Sequence, residues 1–506
     1  MLICALGVLG AAGTAAWADD SAPNVLPEFL ASPPSLPASY DERTAWRLDL
    51  TEALKIAMQQ NLGISFTRKN LERARLNVES ATADMYEPRL DANYNHHANS
   101  SPESASTSDS GSVSLSQRLP TGASLSVGLS GSASSSASPV PLPGSHGSNL
   151  TFSLTQPILK GFSTDLAIPQ ASILTARIES ETARRQLEID AAALVQKTES
   201  AYWGVVSALY SYGVQVKSQK AAEDTVKLVH RQIDAGMATG SDLTGAQSTL
   251  AQSKLDVLRQ AASVEDAWDT LRLTLNLPRE QWTRPILPTN MPRLAPAEPP
   301  AEDKALEIAI AHRPDFAILK LQMKASELAQ RIAANDRLPD INVGLNGSLA
   351  GQGDSYGGAL SDLGHQTREW NVTVGLSWTP LGRGNKVKRE LSRIQHEVDV
   401  GHNTERVQEI WNEIRAAVRR QRAVALEVTA AFDSLALANK YLAEENRRYL
   451  EASSSNLAIA QLQARLVSAE QQALQALLSN ESSQAALLLA TGQLLEQRHV
   501  QFEVGK

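Results

Sequence analysis

Trp370-Asn371-Val372-Thr373-Val374-Gly375-Leu376-Ser377-Trp378 alternates without a break between large apolar residues and small polar ones. Successive side chains of a β-strand point to opposite faces, so this stretch predicts a strand with one apolar and one polar face. The polar positions carry Asn, Thr, Gly and Ser. A strand facing bulk water would carry more Lys and Glu. Small polar groups opposite a broad apolar face suit a transmembrane barrel, apolar toward lipid and polar toward a lumen. A soluble sandwich with one wet face is the alternative.

The same period recurs elsewhere. Leu90, Ala92, Tyr94 and His96 alternate with Arg89, Asp91, Asn93 and Asn95. Val113, Leu115, Gln117 and Leu119 alternate with serines and Arg118, and Leu125, Val127 and Leu129 with Ser124, Ser126 and Ser130. Leu150, Phe152 and Leu154 alternate with Thr151, Ser153 and Thr155, and Ile341, Val343 and Leu345 with Asn342, Gly344 and Asn346. Between Asn99 and Ser138, 17 of 40 residues are serine, and these serine-rich stretches predict loops. Pro120-Thr121-Gly122-Ala123 predicts a tight turn between the middle two strands of the first half.

Very long helices flank the strands. From about Asp165 to Ile233 the only proline is Pro169, and a second such run extends from about Lys386 to Leu450. Nearly seventy helical residues would span roughly 100 Å. Leu187, Leu194, Ala201, Ala208, Gln215, Ala222 and Val229 recur every seven residues, beside Ala191, Thr198, Val205, Tyr212, Gln219, Val226 and Ile233. Leu243, Leu250, Val257, Val264 and Leu271 mark a returning helix. Val407, Ile414, Gln421, Val428 and Leu435 repeat the pattern later, beside Trp411, Val418, Ala425 and Phe432. Heptads predict supercoiled helix pairs. For the helices alone, an ordinary soluble coiled coil is the preferred reading.

The two halves repeat one another, which is the most informative feature of the chain. Ala53-Leu54-Lys55-Ile56-Ala57-Met58 aligns with Ala305-Leu306-Glu307-Ile308-Ala309-Ile310. Each helix that follows stops before a strand, at Glu87-Pro88-Arg89-Leu90 and Leu338-Pro339-Asp340-Ile341. Gln156-Pro157-Ile158-Leu159 and Thr379-Pro380-Leu381-Gly382 precede the long helices. The reading divides the chain into a signal peptide (1–18), a Pro-rich N-terminal arm (19–47), a first repeat (48–277), a Pro-rich connector (278–301), a second repeat (302–495) and a C-terminal tail (496–506). Within the repeats, strands are expected at about 88–158 and 340–380, and helical hairpins at about 165–276 and 384–495.

Composition narrows the function. The formal net charge of −8 lacks the basic excess of a nucleic-acid binder. The single cysteine, Cys4, excludes a disulfide framework and a thiolate zinc cluster. Met1 to Ala12 is almost wholly apolar, and Ala16-Trp17-Ala18 before Asp19-Asp20 is an A-x-A cleavage signal, so export is predicted. No later run reaches the ~20 apolar residues of a spanning helix. Four to six strands cannot close a barrel, since the smallest known barrels need eight, and open edges cannot face lipid. The strands must then be pooled between subunits of a closed oligomer.

Strands, long helices and duplication together resemble the TolC-like outer membrane efflux proteins, over about residues 48 to 495. The turn Ala235-Gly236-Met237-Ala238-Thr239-Gly240-Ser241-Asp242-Leu243, followed by Ala246-Gln247, is similar to that family's periplasmic tip. There a glycine allows the reversal and an acid six residues later lies near the pore. Pro157 and Gly161, and Pro380 and Gly382, resemble the strand-to-helix junctions. The resemblance implies an α+β membrane protein: a homotrimeric outer-membrane β-barrel continued by a periplasmic α-helical barrel. It implies a passive exit duct for efflux or type I secretion, with a periplasmic adaptor and an inner-membrane transporter as partners, outer-membrane lipid around the barrel, and no cofactor. Asp242 becomes the pore-constriction candidate; Gly236, Met237, Ala238, Thr239, Gly240, Tyr449, Ala452, Ser453, Ser454 and Ser455 become tip and adaptor-contact candidates.

The chain departs from the family in two places. The second turn, Tyr449 to Asn456, has no glycine; Ala452 stands where the first has Gly236, and Ala458 where a second acid would stand. The family's usual two strands per half give twelve in a trimer, whereas literal counting here gives eighteen. Twelve plus an accessory hairpin outside the membrane is the favoured expectation.

Catalytic patterns are missing. His96 and His97 would point to opposite faces of a strand, and His396 and His402 lack a third ligand at metal-site spacing. No H-E-x-x-H or phosphate-binding glycine loop occurs. Asp242 could instead serve as a helix N-cap. A membrane-anchored coiled-coil spacer without a through-pore is the competing class; a secreted enzyme has no constellation behind it.

Overall fold

The structure, a computed structural model, describes residues 36–500 apart from 38, 102–103, 138–144, 296–297, 366, 380–381 and 451–455. The signal peptide, most of the N-terminal arm, residues 501–506, Pro380 and the second-turn candidates Ala452, Ser453, Ser454 and Ser455 lie outside the described residues. In chain order the elements are β1 (Trp46–Leu48), α1 (Leu50–Gln60), α2 (Leu62–Tyr86), β2 (Arg89–Ser101), β3 (Ser104–Arg118), β4 (Ser124–Ala137), β5 (Ser145–Pro157), α3 (Ala171–Asp234) and α4 (Gly240–Leu275). After these come β6 (Ile286–Pro288), α5 (Glu302–His312), α6 (Pro314–Asn335), β7 (Asp340–Gly353), α7 (Tyr356–Ser361), β8 (Thr367–Ser377), α8 (Arg383–Leu450), α9 (Asn456–Ala490) and α10 (Leu494–Gln497).

The helix boundaries have local causes. Asp49 caps α1 by accepting from the Thr51 N–H, and Asn61 both ends α1 and caps α2 by accepting from Gly63 and Ile64. Such caps satisfy the donors that the first turn leaves unpaired. Asn276 closes α4 in the left-handed region, a conformation Asn tolerates better than most residues.

The core lies in the helical body. Of the fourteen heptad positions in α3, ten are buried and none is exposed. They pack α3 against α4, α9 and α2. Aromatics pin the helices to β1 and β6: Trp268 and Tyr202 are fully buried, Trp268 Nε1 donates to the Ile286 carbonyl, and the Tyr202 hydroxyl donates to the Leu48 carbonyl. β1 and β6 pair in parallel, Trp46 with Ile286, tying the start of the first repeat to the connector. The boundary expected at 47/48 therefore cuts through β1. In α8, Ile414, Gln421, Val428 and Leu435 are buried, but Val407 and Trp411 are 43% and 45% exposed. Those two do not enter a seam within one chain.

All six long strands form one antiparallel sheet in the order β2-β3-β4-β5-β7-β8. β3 and β4, the hairpin expected as an accessory, are interior strands of this sheet, each paired on both sides. The serine-rich loops are corrected. Ser106, Ser108, Ser110 and Ser112 pair with Ser136, Ser134, Ser132 and Ser130 inside the β3–β4 ladder. Strand preference is set by neighbours more than by the residue itself, and a ladder flanked on both sides accepts serine. Strands leave the helical body at Arg89 and Asp340 and return at Pro157 and Ser377, so each repeat crosses the sheet an even number of times.

Candidate functional site

The sheet has two chemically distinct faces, and its register carries them across all six strands. Leu90, Leu115, Val127 and Phe152 form one apolar row; Ala92, Val113, Leu129, Leu150 and Leu349 form the next. Leu125, Leu154, Leu345 and Val372 form a third, below Leu90 and Leu115. Trp370, Val374 and Leu376 extend this face, at 77%, 70% and 67% exposure. The opposite face carries Ser114, Ser126, Ser153, Asn346 and Thr373. These small groups bond sideways: Ser153 Oγ donates to Asn346 Oδ1 at 2.7 Å, and Asn346 Nδ2 to Asn371 Oδ1 at 3.1 Å. β2 and β8 are free edges of the sheet within one chain. An apolar face this broad and unpaired edges both demand partners.

At the strand-to-helix junction, Gly161 takes φ +80°, and its N–H donates to Asn335 Oδ1 at 2.7 Å. Asn335 Nδ2 donates back to the carbonyls of Leu159 and Phe162, both at 3.1 Å. One amide from the end of α6 thus clips the first-repeat junction after Pro157. Arg331, one turn earlier, bonds Asp165 and holds its carboxyl down to about 2. Gly382, at the second junction, donates to the Thr379 carbonyl at 3.0 Å. Asn335 was not legible among the candidates, because its partners stand more than 170 positions away in the chain.

The turn between α3 and α4 stands at the far end of the helices. Gly236 takes φ +74°, where a side chain would be strained, and the Met237 N–H donates to the Gln232 carbonyl at 2.7 Å. Met237 is 76% exposed, Ala238 partly so, and Thr239 and Gly240 are exposed. Asp242 is not the N-cap. Thr239 holds that position, and Asp242 stands three residues on as the reciprocal half of a capping box, accepting from the Thr239 N–H at 2.8 Å and its hydroxyl at 2.7 Å. Thr is a strong cap, and glycine at 240 leaves the first turn free to follow it. The Thr239 backbone bond, then its hydroxyl, holds the Asp242 carboxyl below the usual range. Tyr449, near the end of α8, exchanges two bonds with Gln232, at 2.6 and 2.9 Å. That neutral pair ties the two hairpins together close to their ends.

The remaining polar clusters are structural in geometry. Ser326, His396 and Asp399 lie together, but the Ser326 hydroxyl donates to Asp399 and contacts His396 Nδ1 itself. In a nucleophilic triad the histidine stands between the other two. His96 contacts Asp109, and His402 lies 3.6 Å from Glu405. No grouping of three metal-binding side chains occurs among the described residues. Glu199, almost wholly buried, receives two bonds from Arg498; burial pushes its carboxyl up although Arg498 draws it down. No described helix is long and apolar enough to cross a membrane.

Comparison with known proteins gives a consistent result. Residues 123–277 match the family described as outer membrane efflux protein. Over 325 residues the chain is 23% identical to the probable efflux pump outer membrane protein TtgC of Pseudomonas putida, and equally to the antibiotic efflux pump outer membrane protein ArpC of that organism. Each match covers 63% of this chain and 64% of the relative's length. The fold is similar to that of the Campylobacter jejuni CmeC outer membrane channel, with TM-score 0.65, 13% identity and coverage of 88% of this chain and 86% of that one. It is similar also to the open state of the Neisseria gonorrhoeae MtrE outer membrane channel, with TM-score 0.64, 18% identity and coverage of 88% and 89%. The chain thus resembles the outer membrane efflux proteins, by the family match over residues 123–277 and by its fold.

Proposed function

We propose that this protein is a passive exit duct of the outer membrane, in which three copies close one barrel and continue it into the periplasm as a helical tunnel. The observation behind this is the six-stranded sheet: apolar on one face, small and polar on the other, and open at β2 and β8. Pairing β8 of one protomer with β2 of the next removes every edge, as a lipid-embedded sheet requires. Strands of 11 to 15 residues reach or exceed the ~9–11 needed to cross a bilayer when tilted. Three six-stranded sheets make eighteen strands. The diameter of a barrel rises about linearly with strand number, so the opening is wider than twelve strands would give. The polar face lines it with Ser, Thr and Asn.

The same trimer explains the exposed residues of α8. Val387, Leu391, Ile394 and Val398 follow helical spacing and are all exposed in one chain, as are Val407 and Trp411. Heptad side chains without a partner in the chain suit a seam against the neighbouring protomer. At the tip, Met237, Ala238 and Thr239 form the surface that a periplasmic adaptor would meet, below an inner-membrane transporter that supplies cargo. Asp242 lies where three carboxylates would surround the axis and favour cations. Cargo is selected upstream, by that transporter.

Detergent-extracted protein in planar bilayers tests this reading. Stable conductance from a trimeric species is expected. A monomer without conductance would overturn the duct in favour of a coiled-coil spacer.

A further inference from the structure

The connection between β7 and β8 runs along the wall of the sheet. Its short helix α7 lies at the end of the sheet away from the helical body. It rests on the same face as the apolar rows: Ser148, His146, Gly131, Gly351 and Gly353 continue Leu150, Leu129 and Leu349 at intervals of two. Three strands have hollowed that face to receive it. A Cβ on Gly351 would stand 2.3 Å from the Ala359 carbonyl oxygen, and one on Gly353 would stand 2.5 Å from the Ala359 nitrogen. Ser148 Oγ donates to the Ala359 carbonyl at 2.5 Å, and the His146 and Tyr356 rings meet edge-on at 4.8 Å. The Gln352 N–H donates to Asp362 at 3.1 Å, and Arg368 Nε donates to the Gly364 carbonyl at 2.6 Å, so both ends of the loop are held down.

Docking leaves an amphipathic outer surface. Ala359 is fully buried against the sheet, whereas Tyr356, whose ring rests one edge on His146 and Gly131, is 48% exposed and Leu360 is 50% exposed. Their level is set by the strand register. From Ile341 to Leu349 the apolar face of β7 runs about 26 Å along the strand at 3.3 Å per residue, and the usual tilt reduces this to roughly 20 Å of membrane depth. The docking glycines are the next positions on that face. α7 therefore lies at the upper edge of a lipid-facing band about 25 Å tall. Tyr94, 70% exposed, stands in the same row as Gly111, Gly131, Ser148 and Gly351. Trp378, 58% exposed, marks the opposite end of the face. Aromatic groups with one apolar and one wet side collect at these two levels.

We propose that α7 is an interfacial anchor: it embeds Tyr356 and Leu360 at the acyl–headgroup boundary of the outer leaflet and leaves the mouth of the duct uncovered by this loop. The proposal rests on the barrel reading above. Its occupant is lipid, because the surface α7 presents continues the apolar face of the strands.

The test attaches a fluorophore to Leu360→Cys or Val374→Cys in the full-length protein, reconstituted in phospholipid vesicles containing lipids with spin-label quenchers either near the headgroup or mid-chain. The Val374 label should be quenched by the mid-chain probe, and the Leu360 label by the shallow probe. Gly351→Leu, which removes the hollow, should abolish most of the shallow quenching at Leu360 while that at Val374 persists. A Leu360 label quenched only by aqueous iodide, with Val374 still in lipid, overturns the anchor and leaves the duct intact. A Val374 label that no lipid probe reaches overturns both.

Discussion

The two repeats agree in their helices and differ in their strands. α3 and α8 have 64 and 68 residues, and α4 and α9 have 36 and 35. Between α2 and α3 the first repeat makes four strands; between α6 and α8 the second makes two, joined through α7. The difference follows from what each part must fit. A long helix packs along its whole length against neighbouring helices, so a change of length breaks many contacts. A strand insertion only has to bring the chain back to the end from which it left. Any even number does so, and a hairpin adds to a sheet without disturbing the helices beneath. Sheet width is thus the free variable of this architecture and helix length the constrained one.

Removing the extra hairpin is the strongest test of that contrast. Deleting 104–137 and joining β2 to β5 by a short turn should leave a trimer with twelve strands. Its cross-section at the sheet end should fall to roughly half, since diameter follows strand number. The size of the largest polyethylene glycol that enters from the sheet side would measure this; an unchanged cut-off would place β3 and β4 outside the barrel wall.

The junctions offer a second asymmetry. Asn335 makes three bonds to the first-repeat junction. Asn335→Ala should cost about 2 kcal/mol at roughly 1 kcal/mol or less per bond, read as a lower thermal midpoint of the trimer. Asp84, at the corresponding place before Glu87-Pro88, is exposed. Its replacement by Ala should change stability by under about 0.5 kcal/mol. Equal effects would mean that the two junctions are built alike.

At the tips, Tyr449→Phe removes both bonds to Gln232 and should raise the leak conductance of the closed duct. Asp242→Asn removes charge while keeping an acceptor for Thr239, and it should weaken cation preference with less effect on leak. Asp242→Ala, which also breaks the capping box, should increase both leak and loss of selectivity. Reversal potentials in asymmetric salt separate these outcomes.

The smallest effect expected is that of acid on the junction ion pair. Asp165 has a folded value of about 2, below its usual 3.8. A depressed value adds stability that is complete above the usual value and is lost as pH falls from about 4 to 2. Arg331→Gln should flatten that part of the stability profile; an unaltered profile would mean the exposed pair contributes nothing.

Much of this was legible in the chain because periodicity survives without tertiary information. Trp370 to Trp378 and Leu150 to Leu154 alternate strictly, and α3 repeats every seven residues. What escaped depended on partners far away. The serines from 104 to 112 carry no apolar alternation; they become strand only because β2 and β4 flank them. α7 has six residues, too few for a helical period, and its place is set by glycines on other strands. Thr239 takes the cap from Asp242 because Asp242 itself completes the box. Val407 and Trp411 keep heptad spacing, yet both stay exposed within one chain.

Closure between protomers is the central claim, and edge cross-linking tests it most directly. Cys4 is the chain's one cysteine and lies in the expected signal peptide, so cysteine pairs introduced along β2 and β8 have no competitor in the processed protein. Pairs scanned across Asn93 to Asn95 and Asn371 to Thr373 should give a ladder of covalent species in outer-membrane fractions that ends at the trimer. A ladder that stops at monomer for every pair would contradict a barrel pooled from three six-stranded sheets.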